Sequence, residues 1–468
     1  MSDFYETYQS PFTWRYGSQE MRHIWSEAHK RRLWRKIWVA LAEVQASFGL
    51  VKPEQVADLR VHMDQVDVPR ALEIEAEIHH DLMAELKVFA EQAPVGGGAL
   101  HLGATSTDIE DNADVLRMRQ SLELILEKLR RVLLLFAARI TTWADAPLIA
   151  LTHLQPAEPS TLGYRLSQYA QDLFDDWRLL SERIETLKGK GFKGAVGTGA
   201  AYAELMGQAQ LESFEQQLSQ HLELDFYPVT TQVYPRKQDF QLASQLAGMG
   251  ATLYKFAFDL RFLQSPNSGE LGEPFAAQQV GSSAMPFKRN PIQAEKIDSL
   301  ARELAQIPRL AWDNAAHSLL ERTLDDSANR RTWLPEAFLI CDELLTVTSS
   351  ILEGLQVDAT AIERNLNRYG PLAAVERVLM ALGKAGADRQ VMHARLRRHT
   401  LETRTQVQSG QAHVLVERIL QDQEFLQYLS QEELGNLMDF RGYVGAAPRW
   451  SRRLAQELRA ALENEHPT

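Results

Sequence analysis

The chain has 468 residues, 45% apolar and 24% charged, enough for a sizeable core in an ordinary soluble protein. Fifty Lys and Arg against 62 Asp and Glu leave a net charge of −12, which argues against nucleic acid or an anionic membrane as main partner. Cys341 is the only cysteine, excluding an intramolecular disulfide, a CxxC redox pair and a thiolate metal cluster. Apolar runs such as 132–138 are too short to span a membrane, and residues 1–13 lack the pattern of a secretory leader, so a cytoplasmic protein is expected.

Short helical patterns broken by Pro53, Pro69, Pro94 and a glycine run at 96–98 occupy the first hundred residues. From 111 to 146 there is no Gly or Pro, and Val115, Met118, Leu122, Ile125, Leu129, Val132, Phe136 and Ile140 recur at steps of three and four. That spacing predicts a helical rod of roughly 50 Å stopped by Pro147. A second stripe runs from Leu162 to Leu187, with Ser160 or Thr161 as N-cap. The glycines at 189, 191, 194, 197 and 199 read as a mobile loop, and any strand is expected to be short, around 226–234. Helices are predicted over 239–263, 292–320 with a kink at Pro308, and 335–355. Beyond Val357 the patterns shorten, with Asp358 as a cap and 435–448 irregular. The fold class is all-α, divided as 1–104, a central bundle of long helices over 105–357, and 358–468.

Four polar, loop-like segments interrupt these patterns. They are His79-His80-Asp81, the run 101–107 (HLGATST), the run 152–157 (THLQPA) and the run 281–291 (GSSAMPFKRNP). Two prolines and a glycine make the last a loop, crowded with donors from Ser282, Ser283, Lys288, Arg289 and Asn290. Such a loop suits closure over an anionic ligand, and a basic surface turn is the equally weighted alternative. His153, ahead of a long helix, can supply or remove a proton near neutral pH, though a lone histidine there is more often structural. His80 and Asp81 need not form a dyad, because adjacent helical residues do not face each other. In 321–331, Asp325, Asp326 or Ser327 can cap a helix, and Arg322 and Arg331 offer fork-shaped donors; the alternative is a solvated helix end with internal pairing.

No P-loop, complete dinucleotide fingerprint, HExxH or Gly-x-Ser-x-Gly is present. No metal or cofactor is expected.

The loop GSSAMPFKRNP, in order after HLGATSTD and THLQPA, resembles the signature of the fumarase/aspartase superfamily, whose members eliminate fumarate by C–N or C–O cleavage. Within it, RYGSQEM at 15–21, HHD at 79–81, TQVYPRKQD at 231–239 and ERTLDDSANRR at 321–331 are similar to the adenylosuccinate lyases. The resemblance implies three helical domains, a 20-helix bundle built by a homotetramer, and active sites shared between subunits. It implies a C–N lyase that releases fumarate from adenylosuccinate and from the succinylated carboxamide ribotide SAICAR in purine biosynthesis. His153 would be the general acid, Glu295 its carboxylate partner and Ser282 the general base, with Lys288 and Asn290 on the charge that grows in the carbanion-like transition state. Thr105, Ser106 and Thr152 would bind succinyl carboxylates, with Ser283 and Lys296 also contacting substrate. Arg15, Tyr16, Arg322, Ser327 and Arg331 would hold the phosphate and ribose, and His79, His80, Asp81 and Gln232 would lie near the base and succinyl group. His80 is the alternative base.

Some positions depart from the family pattern: His79 stands where arginine often precedes the His-Asp pair, Lys296 where one branch of the family has a substrate-contacting arginine, Tyr164 replaces a basic residue, and Phe287 a tyrosine or histidine. Lysine keeps the charge at 296 but loses the bidentate fork. Argininosuccinate lyase or a muconate-type cycloisomerase is the alternative within the superfamily, and a non-catalytic scaffold the alternative outside it.

Overall fold

Helices carry most of the chain in the computed structural model, which describes residues 6–408 and 414–463. By packing, the chain forms two compact units, each gathered from three separated stretches. One takes Met1–Leu129, Asp175–Leu253 and Ser299–Thr346; the other takes Arg130–Phe174, Tyr254–Asp298 and Val347–Thr468.

The stripe at 111–146 becomes the helix Ser106–Thr142, 37 residues or about 55 Å long. Val115, Met118, Leu122, Ile125, Leu129, Val132, Phe136 and Ile140 are all fully buried. It begins earlier than the apolar period because Asp108 reaches back to accept the Thr105 N–H at 3.0 Å, a capping arrangement at the third helical position. The second stripe becomes Leu162–Thr186, and Thr161 is its cap, accepting the Tyr164 N–H at 3.2 Å.

Between these helices the structure corrects the sequence reading. Pro147–Thr152 pairs antiparallel with Gln155–Thr161, so the THLQPA segment is a β-hairpin and not a loop. Three prolines, at 147, 156 and 159, mask the strand pattern; they are tolerated because a two-stranded ribbon consists of edges. The strand expected near 226–234 reduces to an isolated bridge between Gly189 and Phe226. The glycine-rich stretch is anchored rather than mobile: buried Lys190 pairs with buried Asp108, and the Lys193 and Gly194 N–H groups donate to the same carboxylate at 3.2 Å.

The helix Lys237–Gln264 matches its expected span. The pattern over 292–320 is broken, not kinked, giving Ile292–Leu304 and Ile307–Ala316. Pro308 sits at the start of the second helix, where its missing N–H leaves no bond unmade. Asp325–Glu353 starts ten residues before the expected 335 and carries Pro335 inside it. Its first turn is held by Asp326, which accepts from Arg236 at 2.8 Å and from Arg322 at 2.8 Å. Farther on, Asp358 caps Ala359–Lys384, accepting the Ala361 N–H at 2.9 Å. That helix lines a core of Ala374, Val378, Leu382, Leu396, Ile419 and Phe425.

Candidate active site

In the first unit, His79 ends the helix Val68–Ile78 in the left-handed conformation, φ 55°. His80 then caps Asp81–Gln92 by accepting the Met83 N–H at 3.5 Å. The HHD segment is thus a junction between helices, and its backbone aims the imidazole. The His80 Nε2 lies 3.4 Å from the Ser106 Oγ, at the start of the long helix beside Thr105. One residue on, the Thr107 hydroxyl donates to the Gln232 carbonyl, and the Gln232 N–H donates to the Glu321 carbonyl at 3.1 Å. Three distant motifs, around residues 80, 106 and 232, are therefore brought together by hydrogen bonds.

Next to them lies a cavity of about 150 Å³ lined by Asp81, Arg322, Ser327 and Arg331, all expected to bind substrate. Arg331 donates to Asp81 at 2.8 Å. Against burial, which raises it, the Arg331 guanidinium and the Leu82 N–H hold the Asp81 carboxyl below its usual range. Beneath the cavity runs a buried ion-pair network. Arg236 forks onto Asp111 at 3.0 and 3.1 Å, and Arg330 donates to Asp239 at 2.8 Å and to Asp114 at 3.1 Å. Burial raises the Asp114 carboxyl, but the Arg117 and Arg330 guanidiniums outweigh it and hold the group at about 2. The charge run 321–331 carries the internal Arg–Asp pairing expected of a helix end, in Arg322–Asp326, but it is only partly solvated: Asp326 and Arg330 are buried, and Arg322 and Arg331 line the cavity.

The sequence reading missed several lining residues, among them Trp25, Lys30, Trp34 and Glu110. Lys30 looks like one more cation in a basic helix; only the four-residue step to Trp34, over whose ring it lies at 5.1 Å, hints at a placed charge. Glu110 follows Ser106 by one helical turn. Burial, then the Asp81, Asp111 and Asp114 carboxylates, push its carboxyl up to about 8. Arg15 and Tyr16 are not among the cavity's lining residues. They precede Gly17 and Ser18, whose N–H groups donate to Glu343 and Asp342, about three turns along the helix from Arg331.

The second unit holds the remaining candidates. His153 and Leu154 form the two-residue turn of the hairpin, with φ 52° and 57°, and Thr152 pairs with Gln155 across it. Turns of this kind favour Asn-Gly, so a His-Leu pair is strained by about 1 kcal/mol or more per residue. The strain presents an exposed imidazole at the tip of a hairpin, not at a helix start as the sequence suggested. In the loop GSSAMPFKRNP, the Ser282 Oγ accepts the Met285 N–H at 3.1 Å and the Ala284 N–H at 3.4 Å. Two backbone donors on one hydroxyl oxygen are what a serine oxyanion requires. The Asn290 side chain closes the loop by donating to the Gly281 carbonyl at 3.1 Å, while Ser283, Lys288 and Phe287 are exposed. Glu295 and Lys296 lie in the first turns of Ile292–Leu304. The expected His153–Glu295 pairing is absent among the described residues of this single chain. Glu295 instead faces Arg261 at 3.9 Å.

Among the described residues, no three His, Cys, Asp or Glu side chains converge as metal ligands, and no helix is long and apolar enough to cross a membrane. The only cysteine, Cys341, is buried, and that burial raises its thiol far above the usual range.

Residues 17–305 match the family described as Lyase, and residues 371–454 match the family described as Adenylosuccinate lyase C-terminus. Adenylosuccinate lyase of Schistosoma mansoni is 39% identical, over 90% of this chain and 89% of that one. The enzyme of the same name from Saccharomyces cerevisiae is 36% identical over 97% and 95%. Among solved structures, the 3-carboxy-cis,cis-muconate lactonizing enzyme of Pseudomonas putida superposes with a TM-score of 0.85 at 27% identity, covering 97% of this chain and 99% of that one. The chain belongs to the adenylosuccinate lyase family.

Proposed function

We propose that this protein cleaves adenylosuccinate to AMP and fumarate by β-elimination, and SAICAR to its carboxamide ribotide in the same way. A base removes a proton from the succinyl methylene, the electrons form the C=C bond of fumarate, and the C–N bond breaks as the leaving nitrogen is protonated. The base is Ser282, and the observation that carries the reading is its Oγ held by the Met285 and Ala284 N–H groups. A serine hydroxyl is a poor base unless its oxyanion is stabilised, and these donors, with Lys288, supply that stabilisation.

His153 is the acid, with Glu295 as the partner that raises its affinity for the proton. Lys288 and Asn290 hold the carboxylate next to the carbanion-like centre, and Thr105, Ser106, Thr152, Ser283 and Lys296 complete the succinyl site. Arg322, Ser327 and Arg331, with Arg15 and Tyr16, take the phosphate and ribose; His79, His80, Asp81 and Gln232 lie along the base.

His153 and Glu295 meet only when subunits associate. The reading therefore includes a homotetramer with a bundle of 20 helices and shared sites, and three successive domains at 1–104, 105–357 and 358–468. Exposed apolar residues such as Leu154 and Phe258 support a further interface in the second unit. No membrane or nucleic-acid partner belongs to it, and the location is the cytoplasm.

An ultraviolet assay with adenylosuccinate tests the proposal beside His153→Ala and Ser282→Ala. Turnover by the native protein, lost in both variants, is expected. Failure on both adenylosuccinate and SAICAR would overturn the substrate assignment, and a stable, active monomer would overturn the shared site.

A further inference from the structure

Glu273 lies outside every motif so far assigned a role. It follows the two-residue strand Leu271–Gly272, which pairs with Gln356–Val357, and it is buried, at 3% exposure. Its carboxylate reaches across to the start of Ile292–Leu304. One oxygen accepts the Gln293 N–H at 3.0 Å and the Ala294 N–H at 3.0 Å, and the other lies 3.2 Å from the Gln293 nitrogen. The first N–H groups of a helix have no partner within it, and the helix dipole favours an anion there. Burial raises the Glu273 carboxyl, and these backbone donors oppose it.

The backbone of Glu273 is tied as well. Its N–H donates to the Gln264 side chain at 2.9 Å, and the amide of that same side chain donates to the Arg289 carbonyl at 3.2 Å. The segment between Glu273 and Ile292, which contains Ser282, Lys288 and Asn290, is therefore pinned at both ends to neighbouring points. Glu295 stands in the helical turn that Glu273 caps.

From this geometry we infer that Glu273 is a positioning residue for the elimination: it clamps the two ends of the serine loop and sets the first helical turn, and thereby places Lys288, Asn290 and Glu295. The inference rests on the loop being the one that acts in the reaction proposed above. Glu273 itself is buried with its carboxylate taken up by the Gln293 and Ala294 N–H groups, so it acts through the loop and the helix start. Its effect falls on the transition state, because small displacements of groups that bind developing charge lower turnover more than they lower ground-state affinity.

The test compares Glu273→Ala with Glu273→Gln in the full chain, reading kcat and KM on adenylosuccinate and the exchange of the 293 and 294 amides. The alanine variant is expected to lose about 100-fold in kcat with KM within about threefold. Glutamine, which keeps an acceptor for the helix N–H groups, recovers at least about tenfold of that loss. Amide exchange at 293 and 294 rises in the alanine variant relative to the rest of the helix. Should alanine not fold, Glu273→Asp takes its place, because the shorter side chain keeps the charge but loses the reach. A folded alanine variant with native kcat, a glutamine variant as poor as alanine, or unchanged exchange would overturn the clamp. Native protein without turnover fails the functional reading instead, and the exchange comparison still decides whether the clamp exists.

Discussion

Arg331 and Asp81, 250 residues apart in sequence, share a hydrogen bond of 2.8 Å. The bond joins the first turns of Asp325–Glu353 to the start of Asp81–Gln92, beside His80. A guanidinium already neutralised by one carboxylate keeps further N–H groups for an incoming anion, and its plane is fixed before the ligand arrives.

Replacing Arg331 with alanine should therefore damage binding first. Hydrogen bonds to charged groups contribute about 1.5–3 kcal/mol, so KM for adenylosuccinate is expected to rise about 10- to 100-fold. Arg331→Lys should recover little, since lysine cannot bridge Asp81 and a phosphate with one rigid fork. Initial-rate kinetics on both variants check this; a fall in kcat at unchanged KM would place Arg331 elsewhere in the mechanism.

Glu110 should make stability depend on pH. Its carboxyl has an ordinary value of 4.5 and is pushed up to about 8 in the folded chain, by burial first and then by Asp81, Asp111 and Asp114. Between those values the folded state binds more protons than the unfolded one, so stability falls as pH rises through the window. Glu110→Gln removes this titration. The variant should match the native protein near pH 4.5 and gain on it towards pH 8, by about 1–3 kcal/mol. Thermal midpoints at several pH values check the sign, and a difference that stays constant with pH would contradict it.

The long helices were legible because deeply buried stripes of Leu, Ile, Val and Phe leave a clear 3.6-residue period, as Val115 to Ile140 show. The hairpin around His153 was not, since its prolines imitate a loop and its turn uses His-Leu where Asn-Gly is the usual signal. Pro308 and Pro335 illustrate a related limit. One opens a helix and the other sits within one, and only surrounding contacts decide which. Reactive residues in recognisable segments, such as Ser282 and His80, could be singled out as candidates from the sequence. Lys30, Glu110 and Glu273 were not, because each owes its position to pairing with residues far away in sequence.

Gly163 is expected to tolerate no side chain. A Cβ there would lie 2.6 Å from the Ile140 carbonyl oxygen and 2.7 Å from the Ala144 Cα, both backbone atoms of neighbouring segments. Backbone cannot swing aside as a flexible side chain can, so Gly163→Ala should destabilise by about 1–3 kcal/mol. Denaturant unfolding of the two proteins measures it, and equal midpoints would show that the two segments separate freely.

Gly281 offers the complementary case, in which function should fall and stability should not. A Cβ on Gly281 would stand 2.1 Å from the Lys288 carbonyl oxygen, so the two sides of the serine loop must part in Gly281→Ala. The Asn290 bond to the Gly281 carbonyl would be stretched with them. Most of the loop is exposed, with Phe287 at 83%, so little core packing is lost. The thermal midpoint is therefore expected to stay within about 2 °C of the native value. The Ser282 Oγ, its two N–H donors and Lys288 would all shift by a fraction of an ångström to an ångström, enough to lower kcat by about 100-fold. A large loss of kcat at a native midpoint is the expected pair of results. Unchanged turnover would mean that the loop reaches its active geometry without the close approach of Gly281 to Lys288, and that Ser282 is not held as a base by the fold seen here.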